Sequence, residues 1–142
     1  MPQKNLKKLF GVSMIEFAII LPVLLLVLIG IIDISVLLYD KIIITNASRE
    51  GARYGVMLRQ PTYASSASVV AYTQTYLSNS LISFSSSAPA AIVTATPSTP
   101  IPQFGSTLNV NVTYVYTDLL LHHFINHSPE YTLNSTTIMS YE

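Results

Sequence analysis

An uninterrupted apolar run near the N-terminus constrains this chain more than any other feature. The sixteen residues from Phe17 to Ile32 carry no charge, and apolar character resumes after Asp33. A helix needs about twenty mostly apolar residues to cross the hydrocarbon core of a bilayer. The segment from Met14 to about Ile34 therefore predicts one transmembrane helix, with Glu16 and Asp33 near its two ends.

The basic residues predict how this helix is oriented. Lys4, Lys7 and Lys8 precede the apolar run, whereas Asp40 and Lys41 follow it without an excess of positive charge. Because cytoplasmic flanks carry the excess of Lys and Arg, we expect the N-terminus in the cytoplasm and the rest of the chain outside.

Composition excludes several functions for the remainder of the chain. All seven Lys and Arg residues lie at or before Arg59, so the part that follows has no basic surface for nucleic acid. The chain has no cysteine, which excludes disulfides, thiolate metal sites and a cysteine nucleophile.

The apolar helix is expected to continue well beyond the membrane. Pro22 lies inside it and should kink the axis, because proline has no N–H to donate to the carbonyl of Ala18. The next proline is Pro61, so one helix from Val12 to near Leu58 would be roughly 70 Å long at 1.5 Å per residue.

The end of this helix combines small and charged residues. Ala47, Gly51 and Gly55 recur every four residues and form a smooth strip that another backbone can approach closely. The strip is expected to pack either on the C-terminal part of the same chain or on a partner helix. Glu50 and Arg53 are three residues apart and can form a surface ion pair. The alternative is that both simply lie on a solvated face of the helix.

The C-terminal part predicts a small domain. A second helix is expected from Tyr63 to Ser80, with Val69, Tyr72 or Thr73, Tyr76 and Leu77 on its apolar side. Alternation of apolar and polar residues predicts strands at 91–96, at TLNVNVTYVYT and at YTLNSTTIMSYE. The fold class is therefore α+β: a long N-terminal transmembrane helix, then a small exported domain with a second helix and an antiparallel sheet of about three strands.

The sequence contains no convincing catalytic, cofactor or metal site. His123 and His127 are four residues apart, and His122, Asp118 or Glu130 could add a ligand, but no zinc motif accompanies them. We interpret this segment as a polar loop, and we expect neither an enzyme nor a cofactor.

The N-terminal pattern resembles a known processing site. A basic leader, Gly11, four further residues, Glu16 and an aromatic residue at the head of an apolar helix are similar to the prepilin cleavage site of type IV pilins. The resemblance implies that a prepilin peptidase cuts between Gly11 and Val12 on the cytoplasmic side.

Such a cut would give Glu16 a physical role. It would expose an ammonium on Val12, one helical turn from Glu16, which could pair with the carboxylate of a neighbouring helix and set the axial register. The alternative is that Glu16 only marks the helix end at the headgroup boundary.

A longer resemblance extends from Glu16 to Val56. EFAIILPVLLLVLIGIIDISVLLYDKIIITNASREGARYGV resembles the N-terminal signature of TadE-like proteins, which are pseudopilin-related components of bacterial tight-adherence (Flp-type) pilus systems. The matching charged positions are Asp33, Arg49, Glu50 and Arg53. The resemblance implies a bacterial inner-membrane protein whose partners are prepilin peptidase, other pseudopilins and platform proteins of pilus assembly.

Two functions follow from these observations. The first is a non-enzymatic minor pseudopilin with a basic cytoplasmic leader at 1–11, a transmembrane and continuing helix at 12–60 and an exported domain at 61–142, serving adhesion or related secretion. Its rival is a signal-anchored envelope protein whose exported domain binds a ligand or envelope partner.

Overall fold

The computed structural model describes residues 4–59, 62–78, 80–82, 90–117 and 130–141. They form one long helix, a second helix and two small sheets, which confirms the predicted α+β layout. The elements in chain order are α1 (Lys4–Val56), β1 (Leu58–Arg59), β2 (Thr62–Tyr63), α2 (Ser66–Ser78), β3 (Ile92–Pro97), β4 (Thr107–Thr117) and β5 (Glu130–Ser140).

Helix α1 starts earlier than the sequence predicts, at Lys4, and includes Gly11 and Pro22. Its most apolar 18-residue window contains no residue buried within the fold, and the helix is long and apolar enough to cross a membrane. Large apolar side chains there are openly exposed, such as Phe17 at 61% and Ile19 at 69%. In water this surface would be strongly unfavourable, so it requires an apolar surrounding.

Strands β3, β4 and β5 form an antiparallel sheet in that order, with β4 in the centre. The alternation in β4 places Leu108, Val110, Val112, Tyr114 and Tyr116 on the buried side, as the sequence predicts. Strands β1 and β2 form a separate two-residue hairpin that sequence reasoning missed.

The sheet packs along the C-terminal half of α1 rather than at the end of the helix. At one end of β4, the Tyr116 hydroxyl donates a hydrogen bond of 3.3 Å to the backbone carbonyl of Asp33. At the other end, Leu108 packs beside Gly55. Strand β4 therefore runs antiparallel to α1 over the whole stretch from Asp33 to Gly55, and α1 supplies one side of the core.

Helix α2 packs against α1 through its buried residues Val69, Thr73 and Leu77. The predicted apolar stripe is correct for these three, but Tyr72 and Tyr76 are 37% and 36% exposed. Their larger rings lie at the rim, because the space next to α1 is filled by smaller side chains.

Polar side chains also connect α1 to β5. The Ser48 hydroxyl donates to the Thr45 carbonyl and is left to accept hydrogen bonds from the hydroxyls of Ser135 and Thr137, at 3.0 and 2.8 Å. Lys41 Nζ donates to the backbone carbonyl of Asn134.

Asp40 is a fully buried carboxylate at the contact between α1 and the segment after α2. Its Oδ1 accepts a hydrogen bond of 3.2 Å from the Ile82 N–H, and Oδ2 has no hydrogen-bond partner among the described residues. Burial raises the pKa of the Asp40 carboxyl above its ordinary value, and the Ile82 N–H offsets part of this shift.

Replacing Gly51 by Ala should weaken the contact between the helices. The new Cβ would lie 2.2 Å from Thr73 Oγ1, so the free energy of unfolding of the domain should fall by about 1–3 kcal/mol. Gly30→Ala is the matched control, because nothing lies within 4 Å of its Cβ position. Thermal unfolding of the full chain in detergent, followed by the near-ultraviolet circular dichroism of its tyrosines, measures both.

The second variant Thr73→Ala should restore part of the loss when combined with Gly51→Ala, since it removes the clashing hydroxyl. Equal melting temperatures for Gly51→Ala and Gly30→Ala would contradict the close approach of the two helices.

The buried Asp40 should make stability depend on pH. The folded pKa lies above the ordinary value of 3.8, so between these values the folded state binds more protons than the unfolded chain. The free energy of unfolding should therefore fall as pH rises through this window. Asp40→Asn keeps an oxygen that accepts the Ile82 N–H, so this variant should lose the pH dependence in denaturant titrations. Identical pH profiles of the unfolding free energy for Asp40→Asn and the unaltered protein would contradict a role of Asp40.

Candidate functional site: the helix and its outward side

From Asp33 to its C-terminal end, helix α1 has two sides that differ in burial. One side is covered by the C-terminal domain, which here means α2 and the strands β1 to β5. Ile44, Ala47 and Ala52 are fully buried on this side, and Asp33 is 4% exposed. The opposite side carries the exposed residues Ile42, Asn46, Arg49 and Arg53.

The structure places the predicted small-residue strip under the chain's own domain. A Cβ added to Gly55 would lie 2.2 Å from Leu108 Cδ2 and 2.9 Å from Val69 Cγ2, and Gly51 faces Thr73 equally closely. The sequence left open whether this strip meets the domain or a partner helix. In this structure the domain occupies it.

Asp33 is covered by the C-terminal domain, which the sequence does not predict. Its side chain is buried beneath the domain, and its carbonyl accepts the hydrogen bond from Tyr116. The lower end of the domain thus lies level with Asp33, and the exposed aromatic Tyr131, paired with Tyr116 across β4 and β5, lies at the same end. Aromatic side chains of this kind are enriched where a protein meets the headgroup layer.

An open pocket of about 440 Å³ lies on the outward side of α1. Its lining combines charged, aromatic and thioether side chains from α1, α2 and β5: Asn46, Arg49, Glu50, Arg53, Tyr72, Tyr76 and Met139.

The Glu50 carboxylate in this pocket contacts a tyrosine of α2. Glu50 accepts a hydrogen bond of 3.4 Å from the Tyr72 hydroxyl instead of pairing with Arg53. The ring of Tyr72 stacks on Tyr54 with centroids 4.3 Å apart, which holds the hydroxyl beside Glu50. Within the described ranges, neither Arg49 nor Arg53 forms a hydrogen bond or an ion pair. Two guanidinium groups therefore lie on the exposed side of α1.

The remaining predicted residues lie outside this region. Gly11 and Val12 are within α1 near its start, and Glu16 is an exposed residue on the apolar half. The three histidines and Asp118 fall in 118–129, outside the described residues, whereas Glu130 starts β5. Across the residues that are described, no cluster of three or more His, Cys, Asp or Glu side chains is suited to a metal ion.

Comparison with known protein families gives a match to the N-terminal part of the chain. The family model described as TadE-like protein matches residues 11–53, which include Glu16, Pro22, Asp33 and the outward-facing Arg49 and Arg53. No curated protein and no solved structure matches significantly. The match supports a role connected in general with Tad pili and agrees with a membrane-anchored helix. Residues 11–53 of this chain are therefore similar to TadE-like proteins.

Proposed function

We propose that this protein is a non-enzymatic, membrane-anchored minor pseudopilin that supports assembly of a tight-adherence (Flp-type) pilus for adhesion or related secretion. The observation that carries the proposal is the coincidence of the TadE-like segment with α1. Over these residues the first half of α1 is apolar and its side chains are exposed. The second half of α1 packs against the C-terminal domain and contributes to its core.

The proposed location is the bacterial inner membrane, with a single crossing. Lys4, Lys7 and Lys8 favour a cytoplasmic N-terminus, and the C-terminal domain then lies outside the cytoplasm. The buried contacts of Asp33 with Tyr116 support a domain that starts at the membrane surface, because the apolar run ends at this level.

Processing between Gly11 and Val12 by a prepilin peptidase is part of the proposal. It would create an ammonium one turn before Glu16 on the same helix face. In a bundle of related helices that ammonium would lie next to the Glu16 carboxylate of a neighbour and offset the cost of keeping a charge at the membrane boundary. Other pseudopilins and platform proteins of pilus assembly are the proposed partners.

In this proposal the C-terminal domain provides the surfaces that contact the partner proteins. Its fixed position on α1, through Gly51, Gly55 and Ser48, keeps those surfaces at a constant height above the membrane. A long helix that is fixed to its domain in this way suits an assembly subunit better than a flexible tether would.

Glu16→Gln should strongly reduce pilus assembly while leaving the protein in the membrane. Each 1.4 kcal/mol of lost pairing energy is a factor of ten, so we expect the yield of sheared pili to fall roughly tenfold or more. The matched control is Glu130→Gln, which removes an exposed carboxylate outside the apolar segment. Both variants are compared in the native host by quantifying surface pili and the membrane-bound protein.

The N-terminal sequence and intact mass of the same membrane-bound protein test the processing step. A chain that starts at Val12 is the expected result. Normal pilus yields with Glu16→Gln, together with an intact Met1 N-terminus in a host with active prepilin peptidase, would favour the signal-anchored envelope protein instead.

A further inference from the structure

The outward side of α1 carries a regular seam above the apolar run. Its positions are separated alternately by three and four residues, and all of them are exposed: Ile32, Ser35, Tyr39, Ile42, Asn46 and Arg49. Arg53 continues the same spacing. An average spacing of 3.5 residues is the period of helices that wrap around each other in a left-handed coiled coil.

The C-terminal domain covers the other side of the helix and leaves this seam free. Asp33, Asp40, Ala47 and Gly51 are buried under the domain, and each lies at a position that a coiled coil would turn away from its partner. Folding thus leaves exposed the positions that a parallel helix would contact.

The apolar side chains of α1 extend further than a bilayer can cover. From Met14 to Ile42 the helix rises roughly 42 Å at 1.5 Å per residue, whereas the hydrocarbon core is about 30 Å thick. Because the domain reaches down to Asp33, Tyr39 and Ile42 lie beside folded protein, yet they remain 42% and 59% exposed. Both side chains are therefore available for contact with another protein surface.

We propose that a second copy of this chain covers the seam, in a parallel and in-register dimer along α1. Two copies in one membrane have the same orientation and the same height, so their Tyr39, Ile42 and Asn46 layers face each other. This pairing does not depend on the proposed pilus role.

The polar positions of the seam are complementary to themselves across a two-fold axis. The amide of Asn46 donates and accepts, so it can bond to the partner's Asn46, and a single Asn in such a seam fixes register and the number of helices. One layer above, Arg49 packs beside the partner's Glu50. The open pocket of about 440 Å³, formed by the outward residues of α1 together with Tyr72 and Tyr76 of α2 and Met139 of β5, gives the partner's side chains room at this height.

Within one chain, the charged groups of Arg49, Glu50 and Arg53 form few interactions. Arg49 and Arg53 have no hydrogen-bond or ion-pair partner among the described residues, and the contact from Tyr72 to Glu50 is long at 3.4 Å. Two symmetric Arg49–Glu50 pairs would therefore form without breaking a strong intrachain interaction.

Disulfide crosslinking of the full chain in membranes tests the dimer. The chain contains no cysteine, so single variants Tyr39→Cys, Ile42→Cys and Asn46→Cys report one position each. Under mild oxidation these three should give dimers on a non-reducing gel. Lys41→Cys and Thr45→Cys on the same helix, and the exposed Thr94→Cys on β3, should give little.

Equal crosslinking at all six positions, a maximum away from the seam, or disulfides only to a different protein would overturn the proposal. A charge exchange provides a second readout in the Asn46→Cys background. Arg49→Glu and Glu50→Arg should each reduce the dimer severalfold, and the double variant should restore it. A double variant that is no better than the single ones would refute the symmetric pairs.

Discussion

The close packing of the C-terminal domain on α1 is the interaction on which the rest of the structure depends. Gly51 and Gly55 leave no room for a Cβ against Thr73 and Leu108, so α2 and β4 lie directly on the helix backbone. A three-stranded sheet with one helix buries little apolar surface alone, and the upper half of α1 supplies the missing side of the core. The helix that is apolar enough to cross a membrane and the core helix of the domain are thus one element.

This arrangement divides α1 among three environments. Its first half is uncovered and suited to lipid, one side of its second half is buried in the domain, and the remaining side faces outward with Asn46, Arg49 and Arg53. The TadE-like match ends at residue 53 and so includes all three environments, but excludes α2 and the sheet. The TadE-like segment therefore contains the exposed apolar part of α1 and its outward-facing residues. The rest of the chain forms the domain that covers the inner side of the helix.

Local sequence patterns predicted the elements well because each had a single strong signal. Alternation in TLNVNVTYVYT gave β4 with its buried side, and the apolar run gave α1. Predictions that depended on distant residues were less complete. Asp33 accepts a hydrogen bond at its carbonyl from Tyr116, 83 residues away, and Glu50 contacts Tyr72 of α2. The partner of the small-residue strip could not be deduced because a smooth helix surface suits any neighbour.

Hydrogen–deuterium exchange of the full chain in lipid nanodiscs tests the central claim most directly, that α1 is one continuous helix shared by membrane and domain. The account predicts slow exchange without interruption from the apolar run through Asp33 to Gly55, since lipid protects the first half and domain packing the second. Rapid exchange between Asp33 and Asp40, with protected segments on both sides, would show a separate anchor and domain joined by a flexible connection and would contradict it.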